Sequence, residues 1–134
     1  MQFTITASLP ASPDKIYKAW LSAEEHSKMT GGAASITDEL HAEFSVWDGY
    51  ITGKNINLEI NRSIKQTWRT TEFQDSEEDS IVEIELLGYN DSTILTLTHT
   101  NLPQHGEQYQ DGWNEHYFEP MLKYFLKGPS EAEQ

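Results

Sequence analysis

The chain has 134 residues, a length that fits one domain. Its 22 acids against 9 bases leave a net charge of −13, which would repel a nucleic-acid backbone or an anionic membrane, so neither is an expected partner. With no cysteine, disulfides, thiolate catalysis and zinc–thiolate sites are excluded.

Hydrophobic residues make up only 37% of the chain, and four Trp, six Tyr and five Phe compensate because each buries a large area. The start, MQFTITASLP, has neither a basic region nor an apolar run of the length a signal peptide or membrane span needs, so a cytoplasmic protein is expected. Phe3, Ile5, Ala7 and Leu9 alternate with polar residues, the period of a half-buried strand that Pro10 stops. Ser12 before Pro13 is an N-cap followed by proline at the first helical position, opening a short amphipathic helix through Leu21. Ser22 with Glu25 has the spacing of a capping box for a second short helix ending near Met29, which Gly31-Gly32 closes.

From Ala33 to Thr100 the signals are those of strands and turns. Ala42, Phe44 and Val46 alternate up to Asp48-Gly49, a hairpin signal. The return strand runs from Tyr50 to Ile60 with Ile56, Leu58 and Ile60 on one face, and Gly53 marks a bulge or a close approach. Asn61-Arg62 turns into a strand whose inward side is Ile64, Gln66 and Trp68, followed by an acidic loop containing Asp75, Glu77, Glu78 and Asp79. Val82, Ile84 and Leu86, a turn at Asn90-Asp91, then Leu95, Leu97 and His99 complete the strand pattern.

The last stretch, Gly106 to Lys127, reads as one long helix. At about 100° per residue, Tyr109, Trp113, Tyr117, Phe118, Met121, Tyr124 and Phe125 share a broad apolar face. Pro120 interrupts it, removing the hydrogen bond to the His116 carbonyl and predicting a kink. The expected fold is α+β: a curved antiparallel sheet of about six strands, polar on one face, with two short helices and the long C-terminal helix covering the other. One domain is expected over 1–127 and a loose tail over 128–134.

Three stretches carry a resemblance: ASPDKIYKAWLSAEEHSKMTGG, WDGYITGKNINLEINRSIKQTWR, and LTHTNLP followed by GWNEHYFEPMLKYF. Together they span almost the whole chain and resemble the AHSA type of the START-like (SRPBCC, helix-grip) superfamily, similar to the C-terminal domain of the activator of heat shock protein 90 ATPase. The resemblance implies a helix gripped by a sheet, and a chaperone or other protein as partner. It covers that C-terminal domain alone; the separate N-terminal domain of the eukaryotic activators has no counterpart in these residues.

The chemistry legible in the residues is sparse. None of the five histidines (His26, His41, His99, His105, His116) pairs at the i, i+4 spacing of a helical zinc motif, so no metal or other cofactor is expected. No G-x-S-x-G turn or phosphate-cradling loop occurs, and the placeable acids fall in loops or on outward faces, so the chain reads as a non-enzyme. On the wheel Asn114 falls within the arc of the helix's apolar face and Gln110 one turn earlier on the same side, while His99 and Gln66 point inward from their strands. Such inward polar groups either orient a ligand or bond to one another. If a cavity exists, its expected lining is Trp20, Phe44, Trp68, Trp113, Tyr117 and Met121 alongside those four polar residues. Two functions follow: a protein-interaction module, in the family's terms related to stress, or a carrier or sensor of a small hydrophobic ligand held under the helix. The chain could be monomeric or pair as a dimer through a sheet edge.

Overall fold

A computed structural model of the chain describes the backbone of residues 1–132 and the side chains of residues 1–126. The expected tail at 128–134 therefore lies outside the described side chains. Strand β1 (Phe3–Leu9) leads into helices α1 (Pro13–Leu21) and α2 (Ala23–Thr30), then strands β2 (Glu43–Val46), β3 (Ile51–Glu59), β4 (Ser63–Thr70), β5 (Ser80–Tyr89) and β6 (Ser92–Thr100). A 3-10 turn at Gln104–Glu107 opens the C-terminal helix, which runs as α3 (Gln108–Trp113), a π-helical segment (Asn114–Phe118) and α4 (Glu119–Ala132). The six strands form one antiparallel sheet in the order β1-β6-β5-β4-β3-β2. The two short helices thus carry the chain from one sheet edge to the other, and the remaining strands meander back to lie beside the first. This is the α+β arrangement expected.

Local chemistry sets the helix starts. Pro13 occupies the first turn of α1, where a missing N–H costs nothing. Ser22 caps α2, its hydroxyl accepting from the Glu25 N–H at 3.2 Å, and Gly31 ends that helix at φ 88° with its N–H on the Ser27 carbonyl. Only half of the capping box forms. The Glu25 carboxylate instead accepts from the Tyr124 hydroxyl at 3.1 Å, tying α2 to α4, and burial together with that carboxylate pushes the Tyr124 phenol up to about 12. Ser22→Ala should cost about 1 kcal/mol, read as a lower urea midpoint with an unchanged slope. A midpoint equal to wild type would refute the cap's contribution.

The β2–β3 connection is wider than a two-residue hairpin. Trp47, Asp48 and Gly49 all have positive φ (54°, 57° and 90°), a left-handed run that a bulky Trp seldom adopts. Asp48 N–H bonds the Ala33 carbonyl at 3.0 Å, and the edge of β2 is bridged at Ser45 by Ser35. Gly32 lets Trp47 pack close, since a Cβ there would fall 2.7 Å from the Trp47 ring.

At Gly53 the close approach is the operative reason: a Cβ would meet the Thr67 carbonyl oxygen at 2.0 Å and Phe44 at 2.5 Å. The bulge lies further on, between Asn55 and Asn57. It reverses the side-chain parity of β3, so Ile51 and Asn55 point inward before it and Leu58 after it. The single face drawn through Ile56, Leu58 and Ile60 therefore needs correcting: Ile56 and Leu58 are half-buried, and Ile60, in the turn, is 76% exposed.

Between the sheet and the helices sits one apolar core. Ile64, Trp68, Val82, Ile84, Leu95 and Leu97 come from the strands; Ile16, Trp20, Trp113, Tyr117 and Met121 come from the helices. No helix among the described residues is long and apolar enough to cross a membrane.

Candidate functional site

Three tryptophans from three elements meet at the centre of the core. Trp20 stacks on Trp68 and Trp113 at ring-centre distances of 6.4 and 6.3 Å, and Trp68 lies 5.0 Å from Trp113. Tyr117 closes the group, 4.8 Å from Trp20 and 5.0 Å from Trp113.

Polar groups thread this cluster in fully paired chains. The Trp20 indole N–H donates to Gln66 Oε1 at 3.1 Å, Gln66 Nε2 to Asn55 Oδ1 at 2.8 Å, and Asn55 Nδ2 to the carbonyls of Thr37 and Glu39, both at 2.9 Å. The Trp113 indole N–H donates to His99 Nδ1 at 3.1 Å. Because the Ser80 hydroxyl donates to the Trp68 carbonyl, its oxygen must accept from His99 Nε2 at 2.8 Å. That assignment makes His99 a neutral Nε2–H tautomer, and burial pushes its pKa down to about 3. His26 donates from Nδ1 to the Trp20 carbonyl at 2.7 Å and accepts from the Tyr117 hydroxyl at 2.9 Å. Burial lowers the His26 pKa and raises that of Tyr117, so both stay neutral. Among the described residues no buried side-chain donor or acceptor lacks a partner.

The ten residues singled out from the sequence therefore divide into three groups. Trp20, Phe44, Gln66, His99 and Met121 are buried to 4% exposure or less, and the inward Gln66 and His99 bond within the protein. Trp68, Trp113 and Tyr117 face both the core and an open cleft. Gln110 and Asn114 are exposed, which corrects their placement on the buried face. The reason is the π segment, where the Glu119 N–H reaches back five residues to the Asn114 carbonyl. The wider turn aligns Trp113, Tyr117 and Met121 at spacings of four and leaves their predecessors Gln110 and Asn114 turned to solvent. Its position just before Pro120, which has no N–H to give, is where the sequence places the irregularity.

The cleft, about 440 Å³, lies between the C-terminal helix, the start of β3 and the segment after β4. Rings of Trp47, Tyr50, Tyr109, Trp113 and Tyr117 form most of its wall, and His116 stands at 5.6 Å from Trp47. At the rim, Glu72 Oε2 accepts from the hydroxyls of Tyr50 and Tyr109 and from Gln108 Nε2, the last at 3.0 Å. Tyr109 also pairs with the Thr70 hydroxyl at 2.7 Å. Burial, then the hydrogen bond to Glu72, raises the Tyr50 pKa. Sequence reasoning missed Glu72, Tyr50 and Trp47, as well as the buried Asn55 and His26. The faint signals were two aromatics flanking the Asp48-Gly49 turn and an acid at the near end of the acidic loop.

That loop is organised rather than merely solvated. The Arg69 guanidinium donates to the Glu77 and Gln74 carbonyls at 2.7 and 2.8 Å and pairs with Asp79 at 3.2 Å. His105 bonds Glu77 at 3.0 Å and lowers its pKa.

Comparison with known proteins places the chain. The family model described as "Activator of Hsp90 ATPase homolog 1-like protein" matches residues 10–125. The mouse protein named Activator of 90 kDa heat shock protein ATPase homolog 1 is 23% identical over 128 residues, which are 95% of this chain but 38% of the mouse protein; the human counterpart is 22% identical over the same share. The chain thus spans well under half the length of these relatives. Among solved structures, an HSP90 activator from Plasmodium falciparum superposes with a TM-score of 0.81 at 22% identity, covering 89% of this chain and 91% of that one. The Aha1 dimer from Colwellia psychrerythraea does so with a TM-score of 0.70 at 16% identity, covering 86% and 87%.

Proposed function

The chain belongs to the Activator of Hsp90 ATPase homolog 1-like family, and on that basis we propose that it is a non-enzymatic protein-interaction module directed at a chaperone of the Hsp90 class. The match over residues 10–125 carries this reading. Two surface features support it. On the sheet face away from the helices, Leu87, Ile94 and Tyr89 are 66%, 42% and 68% exposed at the β5–β6 hairpin, with Leu87 and Ile94 directly opposite each other. An exposed apolar cluster is a feature of contact surfaces. The second is the acidic loop held in shape by Arg69, a preformed surface for a basic partner. Purified protein added to an Hsp90-class chaperone should change its ATPase rate and co-elute with it on a sizing column. The Leu87→Ser/Ile94→Ser double variant, which changes only exposed side chains, should weaken both. Unchanged ATPase and no co-elution would set the proposal aside.

A second reading rests on the cleft: carriage or sensing of a small ligand against the C-terminal helix. The 440 Å³ volume, aromatic wall and few convergent polar groups are those of a small-molecule site. A ligand at one hundred times its Kd adds about 2.7 kcal/mol and raises the melting temperature.

A further inference from the structure

We propose that the cleft takes a small organic cation, a quaternary or fully alkylated ammonium, held between the aromatic rings and the Glu72 carboxylate. The proposal rests on the small-ligand reading of this cleft and specifies its chemistry.

Charge decides the class. Among the described residues Glu72 is the sole carboxylate in the lining, His116 is its one basic ring, and no Lys or Arg lines the cleft. The donors that fix Glu72 are neutral: the hydroxyls of Tyr50 and Tyr109 and the Gln108 amide, all on Oε2. Its negative charge is thus oriented, and among the described residues no Lys or Arg pairs with it. Arg69, in the strand just before it, is turned away and spent on the acidic loop. The second feature is the wall itself. Aromatic faces carry negative quadrupole density and attract a cation placed over them, tryptophan most strongly, and such cages suit alkylated ammonium groups. Trp47, Tyr50, Tyr109 and Trp113 present four rings from two different parts of the chain to one space. Trp47 does so from a left-handed backbone conformation at φ 54°. A cation would find rings and a carboxylate together, whereas an anion would meet Glu72 and the field of a chain with net charge −13.

The test uses three probes of one shape and different charge: choline, the neutral 3,3-dimethylbutan-1-ol and the anionic 3,3-dimethylbutanoate. Each is titrated into the full chain while the indole N–H resonances of Trp47 and Trp113 are followed by NMR. Choline should move these signals with a Kd at least tenfold below that of the alcohol, and the anion should not bind. In Glu72→Gln, checked for an unchanged thermal melt, the preference should fall to within about twofold of parity. If the alcohol binds as well as or better than choline, the cation inference is overturned while the cleft remains a ligand site. A choline preference that survives Glu72→Gln overturns the assignment to this carboxylate. If none of the three probes moves either indole, the small-ligand reading falls with it.

Discussion

Replacing Trp20 with alanine should cost the fold about 3–5 kcal/mol, a large share of the 5–15 kcal/mol that holds a typical domain together. Trp20 is 1% exposed and touches the rings of Trp68, Trp113, Tyr117 and His26, so its removal opens a void bounded by four aromatic side chains from β4, α2 and the C-terminal helix. The loss is chemical as well as steric. Gln66 Oε1 would lose its donor at a site with no access to water, which adds about 1–3 kcal/mol unless solvent enters. Trp20→Phe gives an intermediate case, since it keeps one six-membered ring in the space while removing the N–H and the rest of the indole. Urea unfolding followed by far-ultraviolet circular dichroism should place Trp20→Phe between wild type and Trp20→Ala. A Trp20→Ala protein within about 1 kcal/mol of wild type would show that the cluster is not the centre of the core.

Acid should weaken the fold through His99. In the folded chain this imidazole is wholly buried, accepts from Trp113 and donates to Ser80, and burial pushes its pKa down to about 3 against 6.5 for the free side chain. The folded state therefore binds the proton less readily than the unfolded state. The stability tied to neutral His99 is fully present above pH 6.5 and is lost as pH falls from there towards 3, reaching about 2–3 kcal/mol at pH 4.5. His26, whose pKa is also lowered, acts in the same direction, and relief of acidic repulsion acts against both. A comparison isolates the one group: His99→Gln can accept from Trp113 and donate to Ser80 without titrating. Between pH 7 and 4.5 the stability difference between wild type and His99→Gln should shift by about 2–3 kcal/mol in favour of the variant. Parallel stability curves, or a His99 ring titrating near 6.5 by NMR, would contradict the neutral network.

Alternation made most of the sheet legible. Ile64, Gln66 and Trp68, or Leu95, Leu97 and His99, point inward because a strand has no other way to bury one face. The aromatic face of the last helix was equally plain, since no other arrangement hides Trp113, Tyr117 and Met121. What escaped were departures from a fixed period. A wheel drawn at one constant angle cannot contain a π turn, so Gln110 and Asn114 were turned inward on paper and outward in the fold. The same applies to β3, where one extra residue at the bulge exchanges inside for outside between Asn55 and Leu58. The cleft was hidden for another reason: Glu72 and Tyr50 stand 22 positions apart, one in a loop and one beside a turn, and no local pattern announces that they meet. The inward polar groups with the look of a ligand's anchors have partners within the protein: Gln66 bonds Trp20 and Asn55, and His99 bonds Trp113 and Ser80.

The widened turn at Asn114–Phe118 makes the length of this part of the chain a coded quantity. Wound as an ordinary α-helix with the same number of residues, the segment would turn every side chain on its N-terminal side by about 100° relative to Met121. Trp113 would leave the other two indoles and the cleft would lose a wall, while the composition of the segment stayed the same. Removing one residue within the wide turn instead takes away the extra residue and keeps Trp113 in line with Met121, so a homologue shorter by one position here can keep its large aromatic in place on an ordinary helix.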